Sequence, residues 1–342
     1  MNLTQFLSDW NSPSPFITVK TSGSTGEPKL ISVEKKRMEA SAGRTCQALG
    51  LRPDDTALLC LPLDFIAGKM MVVRSIVGGL KLIAVEPSGH PLQHLDTLNT
   101  PVVFAAMTPM QVYNSMHRPE ELKRLKAVSK LIIGGGPVSQ EVANRLSHFP
   151  NQVWSTYGMT ETLSHIALRK LSGKDASEWY VPLPGISLSL NSDGCLVVFA
   201  PDICPESLTT RDRAEIIEDR HSITRFRIIG RIDNVINSGG VKIQIEEMER
   251  ILSLYLNKPF VVAPSPDPKF GQIVVLLTTD CPSMVASSIE AIPLDVLPKY
   301  HRPRRIIHVD DIPLTPTGKP ARAVAARIAE QKTDFLEPPL NK

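Results

Sequence analysis

The chain has 342 residues, 42% of them hydrophobic and 21% charged, with a formal net charge of +3. That composition builds a packed core, its length suits two domains, and it excludes a disordered chain. The small charge surplus argues against a binder of nucleic acid or anionic membranes, and no run of about 20 apolar residues marks a membrane span. Residues 1–15 lack a basic segment followed by an apolar one, and the five cysteines are scattered without a CxxC pair. The expectation is a cytoplasmic protein with reduced thiols.

In chain order, residues 16–19 read as a strand. The segment Thr21-Ser-Gly-Ser-Thr-Gly-Glu-Pro-Lys29 follows it directly. Gly23 and Gly26 let the backbone curl so that successive N–H groups face one anion. Thr21, Ser22, Ser24 and Thr25 add hydroxyl donors, and Lys29 adds a charge. The loop suits a polyphosphate but is not a Walker A loop, since no Gly-Lys-[Ser/Thr] closes it; a polar turn between strands is the alternative. Residues 55–62, 81–85, 101–105 and 130–133 read as buried strands, alternating with helix-like stretches at 119–129 and 140–149. That alternation predicts an α/β core with a largely parallel sheet. The 29 prolines predict short helices. Short alternating runs at 186–190 and 195–199 suggest antiparallel strands. After Gly230-Arg-Ile-Asp233 come a turn at 237–240, a helix at 245–255 and strands at 272–278 and 305–309. A loop and a helix at 321–331 follow. The predicted division is a large domain over 1–232 and a small α+β domain over 233–342, with a hinge near Asp233.

Four further segments could carry chemistry, each weak alone. Ile132-Ile-Gly-Gly-Gly-Pro137 ends a strand in glycines, which lets a flat ring approach the backbone; a tight strand–helix turn is the alternative. In Tyr157-Gly-Met-Thr-Glu161 the tyrosine can stack, Thr160 can donate to phosphate and Glu161 can hold Mg²⁺; a solvated helix start is the other reading. In Gly230-Arg-Ile-Asp233, with the Asn237-Ser-Gly-Gly-Val-Lys242 turn, Arg231 could bind a hydroxyl or phosphate bidentately; a polar interdomain linker is the alternative. Lys319, in Pro313-Leu-Thr-Pro-Thr-Gly-Lys319, can deliver a charge to a developing anion, or simply be exposed.

Together and in this order, these segments resemble the adenylate-forming superfamily of acyl-CoA synthetases, peptide-synthetase adenylation domains and luciferases, from Thr21 to Lys319. The resemblance implies a large N-terminal α/β domain and a small mobile C-terminal one. It implies ATP, Mg²⁺ and coenzyme A as reactants, alongside a small-molecule carboxylate. Thr21 to Lys29 would hold the β- and γ-phosphates, while Gly135, Gly136, Tyr157 and Gly158 would flank adenine. Thr160 would meet the α-phosphate, Glu161 the metal, and Asp212 with Arg231 the ribose. Asp233 would be the hinge and Lys319 the catalytic lysine. Gly239, Gly240 and Lys242 would face the CoA arm. One departure stands out: the family's usual Thr-Gly-Asp is Thr210-Arg-Asp212 here. Only 20 residues precede the phosphate loop, which reads as a shortened member, and a homodimer contact is one candidate to replace the missing surface.

Residues 61–74, Leu-Pro-Leu-Asp-Phe-Ile-Ala-Gly-Lys-Met-Met-Val-Val-Arg, resemble o-succinylbenzoate–CoA ligases of menaquinone synthesis. These place an arginine six residues after a glycine, as Gly68 and Arg74 are placed. The resemblance implies that Arg74 recognises the substrate's second carboxylate. An unpaired charge in so apolar a stretch would be costly, and a substrate anion would pair it; an internal acid or exposure to solvent are the alternatives. Lys69 is a second candidate for that anion. His165 closely follows the Tyr157–Glu161 segment and could face the acyl pocket; a helix-surface position is the preferred reading. The His90/His94 pair is rejected as a zinc site because proline and glycine surround it. Another carboxylic acid as substrate, and a carrier-protein thiol as acceptor, remain open.

Overall fold

The computed structural model describes residues 1–20, 30–93, 95, 101–218, 223–315 and 320–331. The expectations for 21–29, His94 and Lys319 lie outside the described residues. The chain divides into two compact units. One comprises Met1–Asn191, Val197–Thr210 and Ile216–Arg227; the other comprises Ser192–Leu196, Arg211–Glu215 and Ile228–Lys342.

In the first unit, α1 (Leu3–Asn11) begins at Asn2, whose side chain accepts from the Gln5 amide at 2.9 Å. Strands β1 (Phe16–Lys20) and β2 (Leu30–Glu34) pair antiparallel. Helix α2 (Lys35–Leu49) stops at Gly50, which takes the left-handed conformation a Cβ would resist. There follow β3 (Thr56–Leu59), α3 (Ile66–Gly78), β4 (Lys81–Ala84), β5 (Phe104–Met107), α4 (Pro109–Met116), α5 (Pro119–Ala127), β6 (Lys130–Ile133) and α6 (Gln140–Leu146). Then come β7 (Gln152–Gly158), β8 (His165–Lys170) and β9 (Val181–Pro182). These strands make one seven-stranded sheet in the order β4-β3-β5-β6-β7-β8-β9. It is parallel from β4 to β7 and antiparallel from β7 to β9.

Every residue of β3 and β5 is buried, and both are short apolar runs rather than alternating ones, as strands covered on both faces require. Leu58, Ala105, Leu131 and Val153, one from each successive parallel strand, join one core cluster with Leu125 and Leu146. The strand order reverses at β3, which lies between β4 and β5. Ligands of such open sheets bind beyond the carboxyl ends of the strands near that reversal.

A four-stranded sheet follows, formed by β10 (Ser187–Leu190), β11 (Cys195–Phe199), β12 (Leu208–Glu218) and β13 (Thr224–Arg231), in that order. The second unit continues with β14 (Val235–Ser238), β15 (Val241–Gln244), α7 (Ile245–Leu252), β16 (Phe260–Asp267), β17 (Gly271–Thr278), α8 (Pro282–Glu290), β18 (Arg305–His308) and α9 (Arg322–Gln331). Its five-stranded sheet is buried on both sides by strand alternation. Val262, Val274 and Leu276 pack with Met248, Leu252 and Ile289 of α7 and α8. Their neighbours Val261, Ala263, Val275 and Leu277 pack with Ala325 and Ala329 of α9.

The strands expected at 130–133 and 195–199 have those bounds. The strand expected at 101–105 starts three residues later and ends two later, as the apolar run from Val102 continues to Met107. Among the described residues, no helix is long and apolar enough to cross a membrane.

Candidate active site

The carboxyl ends of the adjacent parallel strands β6 and β7 carry two of the predicted segments. After β6, a Cβ on Gly134 would come within 2.5 Å of Thr156 Oγ1. Gly135, with φ +84°, faces open space, so a flat ring has room there. At the end of β7, Tyr157 meets Tyr180 and Phe226 edge-on, at 6.0 and 5.3 Å between ring centroids. Gly158 is followed so closely by the returning chain that a Cβ would lie 2.3 Å from Ser164 O.

The intervening turn is pinned by Thr162, fully buried, whose Oγ1 accepts from the Met159 amide at 2.9 Å and donates to Ser164 O at 2.7 Å. Thr160 is half-buried and Glu161 exposed. Among the described residues the Glu161 carboxylate has no hydrogen bond or ion pair, while its carbonyl accepts from Cys204 Sγ at 3.2 Å. The turn leads into β8, not into a helix.

Helix α3 leaves the carboxyl end of β3 and is buried without a break from Gly68 to Ser75. A helix buried all round is normally apolar all round; this one holds Lys69 and Arg74, each 2% exposed. Arg74 Nη2 donates to Ser164 Oγ, and Nη1 lies 3.7 Å from Met71 Sδ. Its Nε is buried without a partner, and among the described residues no carboxylate pairs with the guanidinium. Burial pulls its pKa down to about 10, so it remains a cation at neutral pH. The alternatives of an internal acid and of exposure to solvent are therefore not what the described residues display.

His165 corrects the expectation of a surface helix position. It opens β8, is 5% exposed, and lies with Nε2 3.1 Å from Thr45 Oγ1 of α2 and Nδ1 3.4 Å from Ser164 Oγ. Burial, and then the nearby Arg74 charge, hold its imidazole well below the usual range, so it is neutral. The sequence offered no signal for this contact, since Thr45 and His165 are 120 residues apart.

Lys69 stands five residues from Arg74, about 140° around the helix, and the structure does not bring the two cations together. Its Nζ donates to Thr18 O of β1 at 3.1 Å and lies 5.6 Å from the centre of the Phe6 ring. Gly68 has a packing reason: a Cβ there would lie 2.3 Å from Pro62 O, in the loop that precedes α3.

In the second unit the predicted ribose and hinge residues form one cluster. Arg231 reaches Asp212 at 3.6 Å and Asp233 at 3.3 Å. Arg211, which replaces the family's glycine, grips Asp233 through both Nε and Nη2. The Arg211 hydrogen bond and the Arg231 charge hold the Asp233 carboxyl below the usual range. Gln244 and Glu246, which sequence reasoning missed, secure the backbone here: Gln244 Nε2 donates to Arg231 O at 2.8 Å and to Glu246 Oε2 at 2.7 Å. Gly239 and Gly240, with φ +58° and +86°, form the tight turn between β14 and β15, and Lys242 is exposed beside it.

His90 Nδ1 contacts Glu121 Oε1 at 2.8 Å, a side-chain pair rather than a metal site. Among the described residues no group of three or more His, Cys, Asp or Glu could hold a metal ion. The exposed Glu161 carboxylate, without a hydrogen bond or ion pair among the described residues, is an oxygen donor of the kind Mg²⁺ takes.

The chain is 29% identical over 269 residues to the 2-succinylbenzoate–CoA ligase of Salmonella typhimurium, an alignment covering 73% of this chain and 55% of that one. It thus spans little more than half the length of that relative. A solved acyl-CoA synthetase (AMP-forming)/AMP-acid ligase II-like protein from Dyadobacter fermentans is 34% identical, with TM-score 0.63 over 94% of this chain and 91% of that one. The o-succinylbenzoate coenzyme A synthetase of Bacillus subtilis shares the fold, with TM-score 0.71 at 20% identity over 90% of this chain and 68% of that one. Residues 10–195 match the AMP-binding enzyme family, and the chain belongs to it.

Proposed function

We propose that the chain is an AMP-forming acid–thiol ligase that adenylates a small aromatic dicarboxylate, o-succinylbenzoate, and passes the acyl group to coenzyme A. One observation carries the substrate reading: the buried Arg74 guanidinium has no carboxylate partner among the described residues and donates to the hydroxyl of Ser164, at the end of the turn before β8. A buried cation costs several kcal/mol unless paired, and a bidentate substrate carboxylate is the partner its geometry suits. The name of the Salmonella relative, a 2-succinylbenzoate–CoA ligase, supports the same acid.

In the first step the substrate carboxylate attacks the α-phosphorus of ATP, and pyrophosphate leaves. Thr21, Ser22, Gly23, Ser24, Thr25, Gly26 and Lys29 would cradle the leaving phosphates. Gly135, Gly136, Tyr157 and Gly158 would flank adenine, and Asp212 with Arg231 would take the ribose hydroxyls. Thr160 would meet the α-phosphate. Glu161 would hold Mg²⁺, which when bound offsets phosphate charge. Lys319 would neutralise charge developing in the transition state. In the second step the CoA thiol attacks the acyl carbonyl and AMP leaves. Residues 233–342 would turn about Asp233 between the steps, bringing Gly239, Gly240 and Lys242 towards the CoA arm.

Pyrophosphate release with ATP, Mg²⁺ and a panel of acids, with and without CoA, tests this reading. The panel holds o-succinylbenzoate, benzoate, a fatty acid and amino acids. Release with o-succinylbenzoate and CoA far above the others is expected; a preference for any other acid overturns the substrate.

A further inference from the structure

A cation that recognises a carboxylate must be held still, and Arg74 is held at one point. Its Nη2 donates to Ser164 Oγ and Nη1 makes a weak contact with the Met71 sulfur at 3.7 Å, while among the described residues Nε has no partner. What orients the Ser164 hydroxyl is therefore part of the recognition. A serine hydroxyl carries one proton and two lone pairs. One lone pair takes the Arg74 proton, so the hydroxyl's own proton is free to go elsewhere. The neighbour within reach is His165 Nδ1, at 3.4 Å.

The other side of the imidazole decides its tautomer. Thr45 Oγ1 donates its single proton to Ser41 O, one helical turn back, at 3.2 Å. With its proton placed there, Thr45 accepts from His165 Nε2, 3.1 Å away. The ring then carries its proton on Nε2 and presents a bare Nδ1 to Ser164. The hydrogen bonds run in one direction, from Arg74 through Ser164, His165 and Thr45 to the Ser41 carbonyl. With the other tautomer, Nδ1–H and Nη2–H would both point at Ser164 Oγ, and its proton would have no acceptor in this chain of contacts. A second positive charge on His165 would also face Arg74. Burial and that repulsion both keep the ring neutral.

We propose that His165 is a positioning residue: fixed as the neutral Nε2–H tautomer by Thr45, it turns the Ser164 hydroxyl so that its lone pair holds the Arg74 guanidinium ready for the substrate's second carboxylate. This rests on the proposed role of Arg74. Ser41 and Thr45 of α2, Ser164 at the end of the turn before β8 and His165 at the start of β8 thereby set selectivity without touching the reacting carboxylate.

Two measurements test the proposal. The first needs no substrate: ¹⁵N-labelled histidine in the full chain, read by two-bond ¹H–¹⁵N correlation at pH 7. The expected signature at His165 is a neutral ring protonated on Nε2; an Nδ1–H ring or an imidazolium overturns the proposal. The second compares His165→Phe, His165→Asn and Ser164→Ala with the native chain on o-succinylbenzoate and benzoate. His165→Phe is expected to raise KM for o-succinylbenzoate about tenfold, the order of one charge-assisted hydrogen bond. Its kcat, and its KM for benzoate, should stay within about threefold, since only the second carboxylate is misread. Asn, whose side-chain oxygen can still accept from Ser164, should recover part of the loss. Combining His165→Phe with Ser164→Ala should cost no more than Ser164→Ala alone. Equal loss on both acids, or no change on either, overturns the positioning role. Should the native chain show no preference for the dicarboxylate, the substrate reading fails, while the tautomer measurement still decides whether the hydrogen-bond chain exists.

Discussion

Arg211 holds Asp233 by two points, with Nε 2.6 Å from one carboxylate oxygen and Nη2 on the other, while Arg231 approaches the same carboxylate at 3.3 Å. The proposed hinge residue is thus clamped by an arginine standing where the resembled family has glycine. Glycine there could make no such contact, so the clamp is a property of this chain's own residues.

The clamp has a readable pH signature. Arg211 and Arg231 lower the Asp233 pKa in the folded state, so their contribution is present above the unfolded value and is lost as pH falls through the lowered one. In Arg211→Gly the Asp233 carboxyl, followed by ¹³C NMR, should titrate closer to the usual carboxylate range. Because Arg211 is largely exposed, solvent screening keeps the change in overall stability small. An unshifted Asp233 titration contradicts the clamp.

Arg74→Met separates stability from recognition. Met keeps much of the side-chain volume and removes a buried charge with no carboxylate partner among the described residues, a replacement that is neutral or stabilising by about 1–4 kcal/mol. Urea unfolding should show the variant at least as stable as the native chain. A loss beyond about 2 kcal/mol would mean that Arg74 has a structural partner, and that its burial is not reserved for a ligand.

The glycines separate by mechanism. Gly68→Ala drives a Cβ into the Pro62 carbonyl at 2.3 Å, backbone that cannot swing aside, and should cost about 3 kcal/mol or more. Gly135→Ala meets open space but must hold φ +84°, at about 1–2 kcal/mol. Chemical denaturation should rank Gly68→Ala as the more damaging; the reverse order contradicts the close-approach account of α3.

The half-reactions should separate two further residues. Lys319→Ala should lose pyrophosphate release by about a hundredfold or more while still converting supplied acyl-adenylate to thioester. Asp233→Pro should do the opposite, sparing pyrophosphate release and impairing thioester formation. Parallel loss of both steps in either variant contradicts the division of labour between adenylation and thioester formation.

The legible parts of this molecule were those written locally. The runs at 130–133 and 195–199 are apolar between polar neighbours, and they are strands. The Gly239-Gly240 pair reads as a turn because both residues need positive φ. Arg74 could be read because a charge among Met70, Met71, Val72 and Val73 is anomalous on its face. What escaped were contacts between distant segments. His165 looked like a surface histidine, and only the approach of α2, 120 residues away in sequence, makes it buried and neutral. Gln244 and Glu246 are ordinary polar residues until Gly230, with no side chain of its own, leaves them room: a Cβ there would lie 2.5 Å from each. The Arg211 replacement was visible as a departure, but its partner was not, since an arginine does not announce which acid it will meet.

The central claim is that Arg74 selects a second carboxylate. The most direct test is the ratio of kcat/KM for o-succinylbenzoate to that for benzoate, measured as pyrophosphate release in the native chain and in Arg74→Met. The account predicts a strong preference for the dicarboxylate in the native chain and its collapse by about a hundredfold in the variant, with benzoate turnover retained. A native chain indifferent to the second carboxylate, or a variant that keeps the native ratio, contradicts it.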